Sequence, residues 1–175
     1  MKWIAISGSW RETSPKVQID VKRIVSEIIK GGDGIVSGGA LNVDCIATDT
    51  ALKLNPKADK IKIFLPTTLK KYTKHYRKHA KWGNITGKQA EDLIAQLEKL
   101  KKISPKALVE NPDENFTEKT KMDMYFDRNQ KVIEAADKLI AFHVNESGGV
   151  ADTIKKARQK GIPVKILKYK TERGS

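Results

Sequence analysis

Five short apolar runs along the chain predict the strands of a buried sheet. They are rich in β-branched residues and span residues 2–7, 34–37, 60–65, 138–143 and 163–167. Continuous runs of this kind are typical of parallel strands that helices cover on both faces. The pattern therefore predicts a sheet whose strands are separated by crossover segments rather than by tight hairpins.

Apolar residues at helical spacing fill most of the intervals between these runs. Helices are predicted over residues 15–30, 44–54, 129–136 and 150–160, and the first is opened by a proline and stopped by glycine. Strand and helix thus alternate along most of the chain. This alternation predicts the α/β class, with a mainly parallel five-stranded sheet between two helical layers.

One segment interrupts the alternation. Residues 67–102 are predicted to be helical and basic, with a turn near Gly83-Asn84, and residues 104–121 are polar with two prolines and are predicted to form a loop. We interpret residues 67–127 as an insertion in a single domain that covers residues 1–175. Residues 169–175 are predicted to form a frayed tail.

The composition indicates whether the protein has disulfides or membrane-spanning segments, and in which compartment it is expected. The single cysteine, Cys45, excludes an internal disulfide, and its apolar helical surroundings favour a buried thiol over a nucleophile. No apolar stretch is long enough to span a bilayer, and the N-terminal run is shorter than that of a signal sequence. These features predict a soluble, cytoplasmic protein.

The chain is strongly basic, with 34 Lys and Arg against 21 Asp and Glu and a formal net charge of +13. A field of this sign attracts nucleic acids, nucleotides and other phosphates, although a solvated lysine-rich surface explains the charge equally well.

Small residues follow three of the predicted strands and precede helices. The three loops contain Gly8-Ser9, residues 37–40 and residues 147–149. Because the carboxyl ends of parallel strands meet at one edge, we expect these loops to lie together there. Glycine lets backbone N–H groups approach a phosphate, and a helix N-terminus adds partial positive charge. The alternative is that these are ordinary turn glycines.

Familiar nucleotide fingerprints are missing. The sequence has no G-x-x-x-x-G-K-[ST] and no G-x-G-x-x-G after the first strand, so neither a P-loop NTPase nor NAD- or FAD-dependent redox chemistry is supported. No cofactor is predicted. His75 and His79 have the i,i+4 spacing of metal ligands, but basic residues surround them, and no metal site is predicted.

Three stretches carry a resemblance to a known family. Residues 34–44 (GIVSGGALNVD) resemble a motif of the DNA-processing protein A (Smf) family, and residues 5–11 (AISGSWR) resemble the strand and loop that open its core. Residues 127–129, 137–142 and 147–164 resemble the remainder. The match covers roughly residues 3–66 and 125–167 and points to the wider SLOG superfamily, which also includes the Lonely-Guy phosphoribohydrolases.

The resemblance implies a Rossmann-like, nucleotide-binding fold in which the glycine loops and an Arg-Asn pair line one pocket. Two departures are notable. Lys155 occupies the position of the glutamate that Lonely-Guy enzymes use, and Asn42 stands where the Smf family usually has glycine. The family also makes a homodimer an open expectation.

For several polar residues the sequence allows either a contact with a ligand or a structural role. Arg128 is expected to clamp a phosphate rather than to pair with Asp127 on the surface. Asn129 either caps its helix or contacts a ligand, and Asp44 either binds a ribose hydroxyl or caps the second helix. If hydrolysis occurs, Glu146 and Asp127 are the candidate catalytic carboxylates. The predicted ligand-binding set is Gly8, Ser9, Arg11, Ser37, Gly38, Gly39, Ala40, Asp44, Arg128, Asn129, Ser147, Gly148, Gly149, Val150 and Thr153.

Residues 69–82 combine basic and aromatic side chains without any acid. This composition is typical of surfaces that bind single-stranded nucleic acid, although inward-packed aromatics with solvated lysines would look the same. The candidate nucleic-acid-binding residues are Lys70, Lys71, Lys74, Arg77, Lys78 and Lys81.

Three functions follow from these observations. The first is binding of a nucleotide or nucleotide-derived phosphate ligand at the carboxyl edge of the sheet, as a carrier or sensor. The second is binding of single-stranded nucleic acid, as in the Smf core. The third is hydrolysis of a nucleotide N-glycosidic bond, which Lys155 at the glutamate position disfavours.

Overall fold

The computed structural model describes residues 1–172 and contains six strands. They are β1 (Trp3–Gly8), β2 (Gly34–Ser37), β3 (Ile61–Phe64), β4 (Leu108–Val109), β5 (Lys138–Val144) and β6 (Val164–Tyr169). All neighbouring pairs are parallel, and the strand order is β4-β3-β2-β1-β5-β6. The predicted α/β class with a parallel sheet is confirmed.

Six α-helices connect the strands. They are α1 (Pro15–Lys30), α2 (Val43–Leu54), α3 (Leu69–Lys81), α4 (Gly87–Ile103), α5 (Lys121–Glu134) and α6 (Gly148–Lys160). Pro15 occupies the first turn of α1, as the sequence predicts, and the side chain of Ser14 caps the helix. A capping box of Thr86 and Gln89 starts α4.

The prediction of five strands was wrong, because the structure adds β4 at the edge beside β3. Leu108 and Val109 pair with Ile63 and Phe64, and the amide of Leu65 donates to the carbonyl of Val109 at 2.9 Å. A strand of only two residues has no periodicity to detect. Strand β4 forms because the edge of β3 offers backbone hydrogen-bond partners. The prolines at positions 105 and 112 led to the prediction of a loop over the whole of residues 104–121.

The start of α5 was also predicted wrongly. The helix begins at Lys121, eight residues before the predicted start, and both Arg128 and Asn129 lie inside it on the buried face. Asn129 is therefore not a helix cap. Polar residues at two inward positions break the apolar pattern that marks an amphipathic helix, which concealed the first half of α5.

The other boundaries moved less. Helix α6 begins at Gly148 rather than at residue 150, and β6 extends to Tyr169, which was assigned to a frayed tail. The Tyr169 hydroxyl donates to Asp20 of α1 at 2.8 Å, and Thr171 is bonded to Asn145. Residues 173–175 of the predicted tail lie outside the described residues.

Alternate residues of the strands supply two apolar layers. Ile4, Ile6 and Ile35 belong to the layer that α1, α2, α3 and α4 cover, whereas Ala5 and Val36 belong to the layer under α5 and α6. This alternation follows from the two-residue period of a strand. Within the described range no helix is long and apolar enough to cross a bilayer, and the cytoplasmic location stays a prediction.

The order of the strands creates one reversal in the sheet. The chain runs outward from β1 through β2 and β3 to β4, and then returns to place β5 on the other side of β1. The connection after β1 therefore leads to the β2 side of the sheet, and the connection after β5 leads to the β6 side, so the two diverge from the carboxyl ends of β1 and β5. In open α/β sheets ligands bind in the crevice that opens at such a point.

Asn42, just before α2, has a backbone that favours glycine. Its φ is 60° and its ψ is −109°, and its side-chain amide donates to the carbonyl of Trp10. We expect Asn42→Ala to cost about 1–2 kcal/mol because that hydrogen bond is lost. Asn42→Gly loses the same bond but relieves strain of about 1–3 kcal/mol, so it should remain near wild-type stability. Urea unfolding measures both, and equal stability of the two variants would contradict this account.

Candidate functional site

A cleft of about 560 Å³ opens at the carboxyl ends of β1 and β5. Helices α2, α5 and α6 border it, and part of α3 closes one side. Most of the predicted site residues line it, namely Gly8, Ser9, Arg11, Gly38, Ala40, Asp44, Arg128, Asn129, Glu146, Ser147, Gly148, Gly149 and Thr153. The three glycine loops are thus brought together as the sequence predicts.

Four predicted residues lie outside the cleft. Ser37 is fully buried in β2, and Val150 packs in the core under α6. Gly39 adopts a φ of +66°, and a side chain there would press on Ile63 and Leu65, so this glycine serves the turn. Asp127 is exposed on the outer side of α5 and does not line the cleft.

Arg128 is buried at the base of the cleft. Its guanidinium donates to the carbonyl of Gly38 and, through Nε, to Oδ1 of Asn129 at 3.1 Å. It also lies 5.2 Å from the ring centre of Tyr125. A Cβ on Gly38 would overlap the guanidinium, so the glycine is needed for this contact. The guanidinium therefore links α5 to the loop after β2, and its positive charge remains at the cleft.

Asp44 is a buried carboxylate in the first turn of α2 and is only 5% exposed. One oxygen accepts from the amide of Ala40 at 3.2 Å, while Oδ1 has no hydrogen-bond partner among residues 1–172. Burial raises the pKa of Asp44, an effect that the nearby Arg128 guanidinium partly offsets. An unpaired buried acceptor of this kind is costly unless another group satisfies it.

The N-terminus of α6 faces the cleft. Ser147 is the N-cap but makes no side-chain capping bond, and the first turn contains no acidic residue. Asn145 and Glu146 before it have φ values of 48° and 57°, and the Asn145 side chain bonds to Thr171 after β6. These bonds hold the loop in its unusual conformation, which presents the start of α6 to the cleft.

Asn129 and Thr153 are both held by hydrogen bonds to residues of α6. The Asn129 amide donates to Asp152 at 3.0 Å, and the same carboxylate accepts from Lys156 at 2.6 and 2.7 Å. The Thr153 hydroxyl donates to the carbonyl of Gly149 at 3.0 Å. The Asn129 bond therefore fixes the position of α6 against α5 at the cleft, whereas the Thr153 bond is internal to the first turns of α6.

Several cleft residues escaped the prediction. They are Trp10, Glu12, His75, Tyr76, His79, Lys121, Met122, Tyr125, Phe126 and Asn145, together with apolar strand and helix residues. Tyr125 and Phe126 are adjacent aromatic residues close to Arg128 in the sequence, and this is a signal that could have found them. Trp10 and Glu12 lie in the loop after β1 and Asn145 in the loop after β5, and the remainder come from α3 and α5, whose approach to the cleft depends on packing between distant segments.

His75 occupies an aromatic cluster at the side of the cleft. Its Nε2 lies 3.2 Å from the Tyr125 hydroxyl, and its ring centre is 4.4 Å from that of His79 and 5.0 Å from that of Phe116. Burial, with a smaller contribution from His79, lowers the pKa of His75 to about 4 from an ordinary value of 6.5. No group of three metal-ligating side chains is gathered within the described chain.

This environment predicts a loss of stability on acidification. The folded state holds His75 neutral, whereas the unfolded chain binds a proton below pH 6.5, so stability should fall as the pH drops from 6.5 towards 4. His75→Phe keeps a ring in the cluster and removes the titration. Melting temperatures measured across this range should fall less steeply for the variant, and identical slopes would contradict the assignment.

The basic segment was predicted either to bind nucleic acid or to pack its aromatic side chains inward with solvated lysines, and helix α3 decides part of this question. Tyr72, Tyr76 and His79 point inward, and the Tyr72 hydroxyl donates to the carbonyl of Gly39 at 3.0 Å. Arg77 is engaged by Glu91 of α4 at 2.8 Å. Among the other candidates, Lys71 is half-buried, and the exposed ones are Lys70, Lys74, Lys78 and Lys81. Trp82 is 51% exposed, unlike the tyrosines.

Cys45 lies at the junction of α2 and α4. Burial raises the pKa of its thiol to about 11, and the side-chain amide of Gln96 donates to its carbonyl at 2.8 Å. A thiol with this pKa is a poor nucleophile at neutral pH.

The sheet and cleft together define a doubly wound, Rossmann-like α/β protein with a crevice at the reversal of the strand order. Neither a protein-family model nor a curated protein matches the chain. Solved structures do. DNA processing protein A from Helicobacter pylori, described with a single-stranded DNA binding mode, aligns with a TM-score of 0.68 and 22% identity over 99% of this chain and 68% of that chain.

Two further structures extend the comparison. DNA processing protein A from Streptococcus pneumoniae aligns with a TM-score of 0.63 and 17% identity over 100% of this chain, which spans about half (51%) of that protein. A molybdenum cofactor binding protein from Rippkaea orientalis aligns with a TM-score of 0.59 and 15% identity over 96% of this chain and 77% of that one. The Rossmann-like fold that the resemblance implies is thus confirmed.

Proposed function

We propose that the cleft binds a nucleotide or a nucleotide-derived ligand that carries a phosphate, as a carrier or sensor. One observation carries the proposal: Asp44, which has a buried oxygen with no partner within residues 1–172, lines the same cleft as the N-terminus of α6, where Ser147 makes no side-chain capping bond. The helix terminus suits an anionic phosphate, and the carboxylate suits a sugar hydroxyl that donates a hydrogen bond.

Charge and aromatic groups around the cleft fit the two ends of such a ligand. Arg11, Lys121 and Arg128 supply positive charge, while Trp10 and the 37%-exposed Phe126 offer flat apolar surface for a base. The structurally similar proteins are described as binding a molybdenum cofactor or single-stranded DNA, both of which contain phosphate. These descriptions support a phosphate ligand here without specifying which one.

A matched pair of substitutions at Ser147 tests the phosphate site without disturbing the fold. Asp and Asn are both good N-cap residues, so Ser147→Asp and Ser147→Asn should be as stable as the wild type. The added carboxylate should repel a phosphate at the helix terminus, whereas the amide should not. A thermal-shift screen with AMP, ADP, ADP-ribose and cyclic AMP measures binding.

The expected result is stabilisation of the wild type and of Ser147→Asn by at least one of these nucleotides, about 2.7 kcal/mol at 100 times Kd, and no stabilisation of Ser147→Asp. Preference for AMP over deoxy-AMP would support the Asp44 contact. Equal binding by both Ser147 variants would contradict the proposal. Release of free base, abolished in Glu146→Gln, would replace the carrier role with hydrolysis.

A second candidate is binding of single-stranded nucleic acid, and one specific arrangement favours it. Trp10 and Trp82 each lie 5.7 Å from His79 between their ring centres, and the cations of Arg11 and Lys78 lie 4.6 and 4.5 Å from the respective tryptophan rings. This series runs from the cleft to the exposed lysines of α3. Alternating rings and cations are typical of surfaces on which bases stack.

Trp82→Ala separates the two candidates. If nucleic acid follows this series, the variant should lose about 1–3 kcal/mol of affinity for oligothymidylate in fluorescence anisotropy, and binding should weaken steeply with salt. Lys99→Ala on the exposed face of α4 is the control. Trp82→Ala should not change nucleotide binding in the cleft, because Trp82 does not line it. If Trp82→Ala binds oligothymidylate as the wild type does, this surface is excluded as the nucleic-acid site.

A further inference from the structure

A second groove lies at the opposite end of the sheet from β4, between α6 and β6. Its floor is aliphatic and includes Ala151, Ile154 and Ile166. Lys155, Arg158 and Lys168 surround the floor, and the groove has a volume of about 560 Å³. It shares no lining residue with the cleft described above.

The groove is open along the backbone of β6. The carbonyls of Pro163 and Tyr169 accept hydrogen bonds from Leu139 and Asn145 on the β5 side, at 2.9 and 3.1 Å. Successive residues of a strand direct their backbone groups to opposite sides, so residues 164, 166 and 168 present theirs to the other side. No strand of the described chain pairs with β6 there.

The charges at the groove have no partner within residues 1–172. Lys155, Arg158 and Lys168 form no ion pair there, and the groove lining contains no acidic residue. The exposed side chains on β6 itself, Lys165 and Lys168, are also basic. Positive charge on an edge strand opposes pairing with a second copy of the same strand.

We propose that β6 and this groove dock an extended acidic segment of a partner protein, which adds to the sheet as a further strand. Its backbone pairs with residues 164, 166 and 168, its carboxylates meet the three cations, and its aliphatic side chains cover the floor. Single-stranded nucleic acid fits less well. A sugar-phosphate backbone has no repeating N–H and C=O groups for a strand edge, and no Phe, Tyr or Trp side chain of the described residues lines the groove for bases to stack on; its one ring is that of His143.

A labelled peptide of alternating valine and glutamate is the probe. Fluorescence anisotropy should show binding to the full chain, and N-methylation of every second peptide amide should weaken binding at least about tenfold because strand pairing is lost. A peptide of alternating valine and lysine should not bind. Hydrogen exchange should show that the amides of Ile166 and Lys168 become protected when the acidic peptide binds.

Matched charge reversals identify the surface. Lys155→Glu/Arg158→Glu should lose at least about tenfold in affinity for the acidic peptide, whereas Lys22→Glu/Lys57→Glu changes the net charge equally at distant exposed sites and should bind as the wild type does. Nucleotide binding in the cleft should be the same in the wild type and both double variants, so a failure here is distinguishable from a failure of the cleft proposal.

Three results would overturn the docking proposal. The first is equal binding of the N-methylated peptide or the absence of new protection at residues 164–168, which would exclude strand pairing. The second is displacement of the peptide by oligothymidylate at a comparable concentration, which would indicate a general polyanion surface. The third is self-association in sedimentation experiments with the same amides already protected, which would assign the groove to a second copy.

Discussion

Arg128→Met is expected to lower the free energy of unfolding by about 3 kcal/mol. The guanidinium is buried, and its loss leaves the Gly38 carbonyl and the Asn129 side chain without their donor. It also removes the positive charge that partly offsets the burial of Asp44. Methionine retains the length of the aliphatic stem, so the effect should come from the lost polar contacts rather than from a cavity. Urea unfolding at neutral pH measures the change.

Two further variants show whether the proposed contacts are responsible. Lys131→Met, an exposed position on the same helix, should change stability by less than about 0.5 kcal/mol. In the Arg128→Met background, Asp44→Asn should restore part of the loss, because it removes a buried carboxylate that no longer has a cation nearby. Wild-type stability of Arg128→Met would contradict this account of α5 and the loop after β2.

Gly8→Ala is expected to be at least as damaging, with a loss of about 3 kcal/mol or more. A Cβ on Gly8 would overlap the Cβ and both methyl groups of Val43, so α2 would have to move away from the end of β1. The obstructing Cβ belongs to the backbone end of a side chain that cannot rotate away. The displacement of α2 would also disturb Asp44, which lies one residue later in the same helix.

Gly149→Ala is the matched comparison, because a Cβ there meets nothing within 4 Å. Alanine is a better helix former than glycine, so this variant should be as stable as the wild type or more stable by up to about 1 kcal/mol. Thermal melts of the two variants under one condition are sufficient. A Gly8→Ala protein that melts with the wild type would show that α2 can move without cost.

Most of the sheet could be predicted from the sequence because buried parallel strands leave a direct trace. Runs such as residues 34–37 and 138–143 are short, apolar on both faces and rich in β-branched or aromatic residues, and their length favours a buried strand over a buried helix. Strand β4 left no such trace, since two residues gain their conformation only from the neighbouring edge of β3. The first half of α5 was missed for the opposite reason: tertiary structure buries Arg128 and Asn129, so the helix lacks a clean apolar face.

The position of the cleft could also be predicted, because topology brings the three glycine loops to one edge. The structural role of each glycine at that edge could not be predicted from the sequence. Gly8 makes room for Val43, Gly38 makes room for Arg128, and Gly39 turns the chain, whereas Gly148 and Gly149 have open space around them. A short motif does not distinguish a glycine that admits a ligand from one that admits a neighbouring side chain. The aromatic wall from α3 depends on contacts such as that between Tyr72 and Gly39, which join distant parts of the chain.

The single reversal of the strand order divides the cleft between two stretches of chain. Residues 6–44, together with residues 75–79 of α3, supply one wall and residues 121–153 supply another, and the segment between β4 and α5 connects these two parts of the chain. A ligand that contacts both walls would act as a non-covalent cross-link between the two ends of the polypeptide. If the chain were cut in that connecting segment, the fragments would behave as a split protein whose reassembly the ligand favours. Occupancy of the cleft would then report that the two halves have joined.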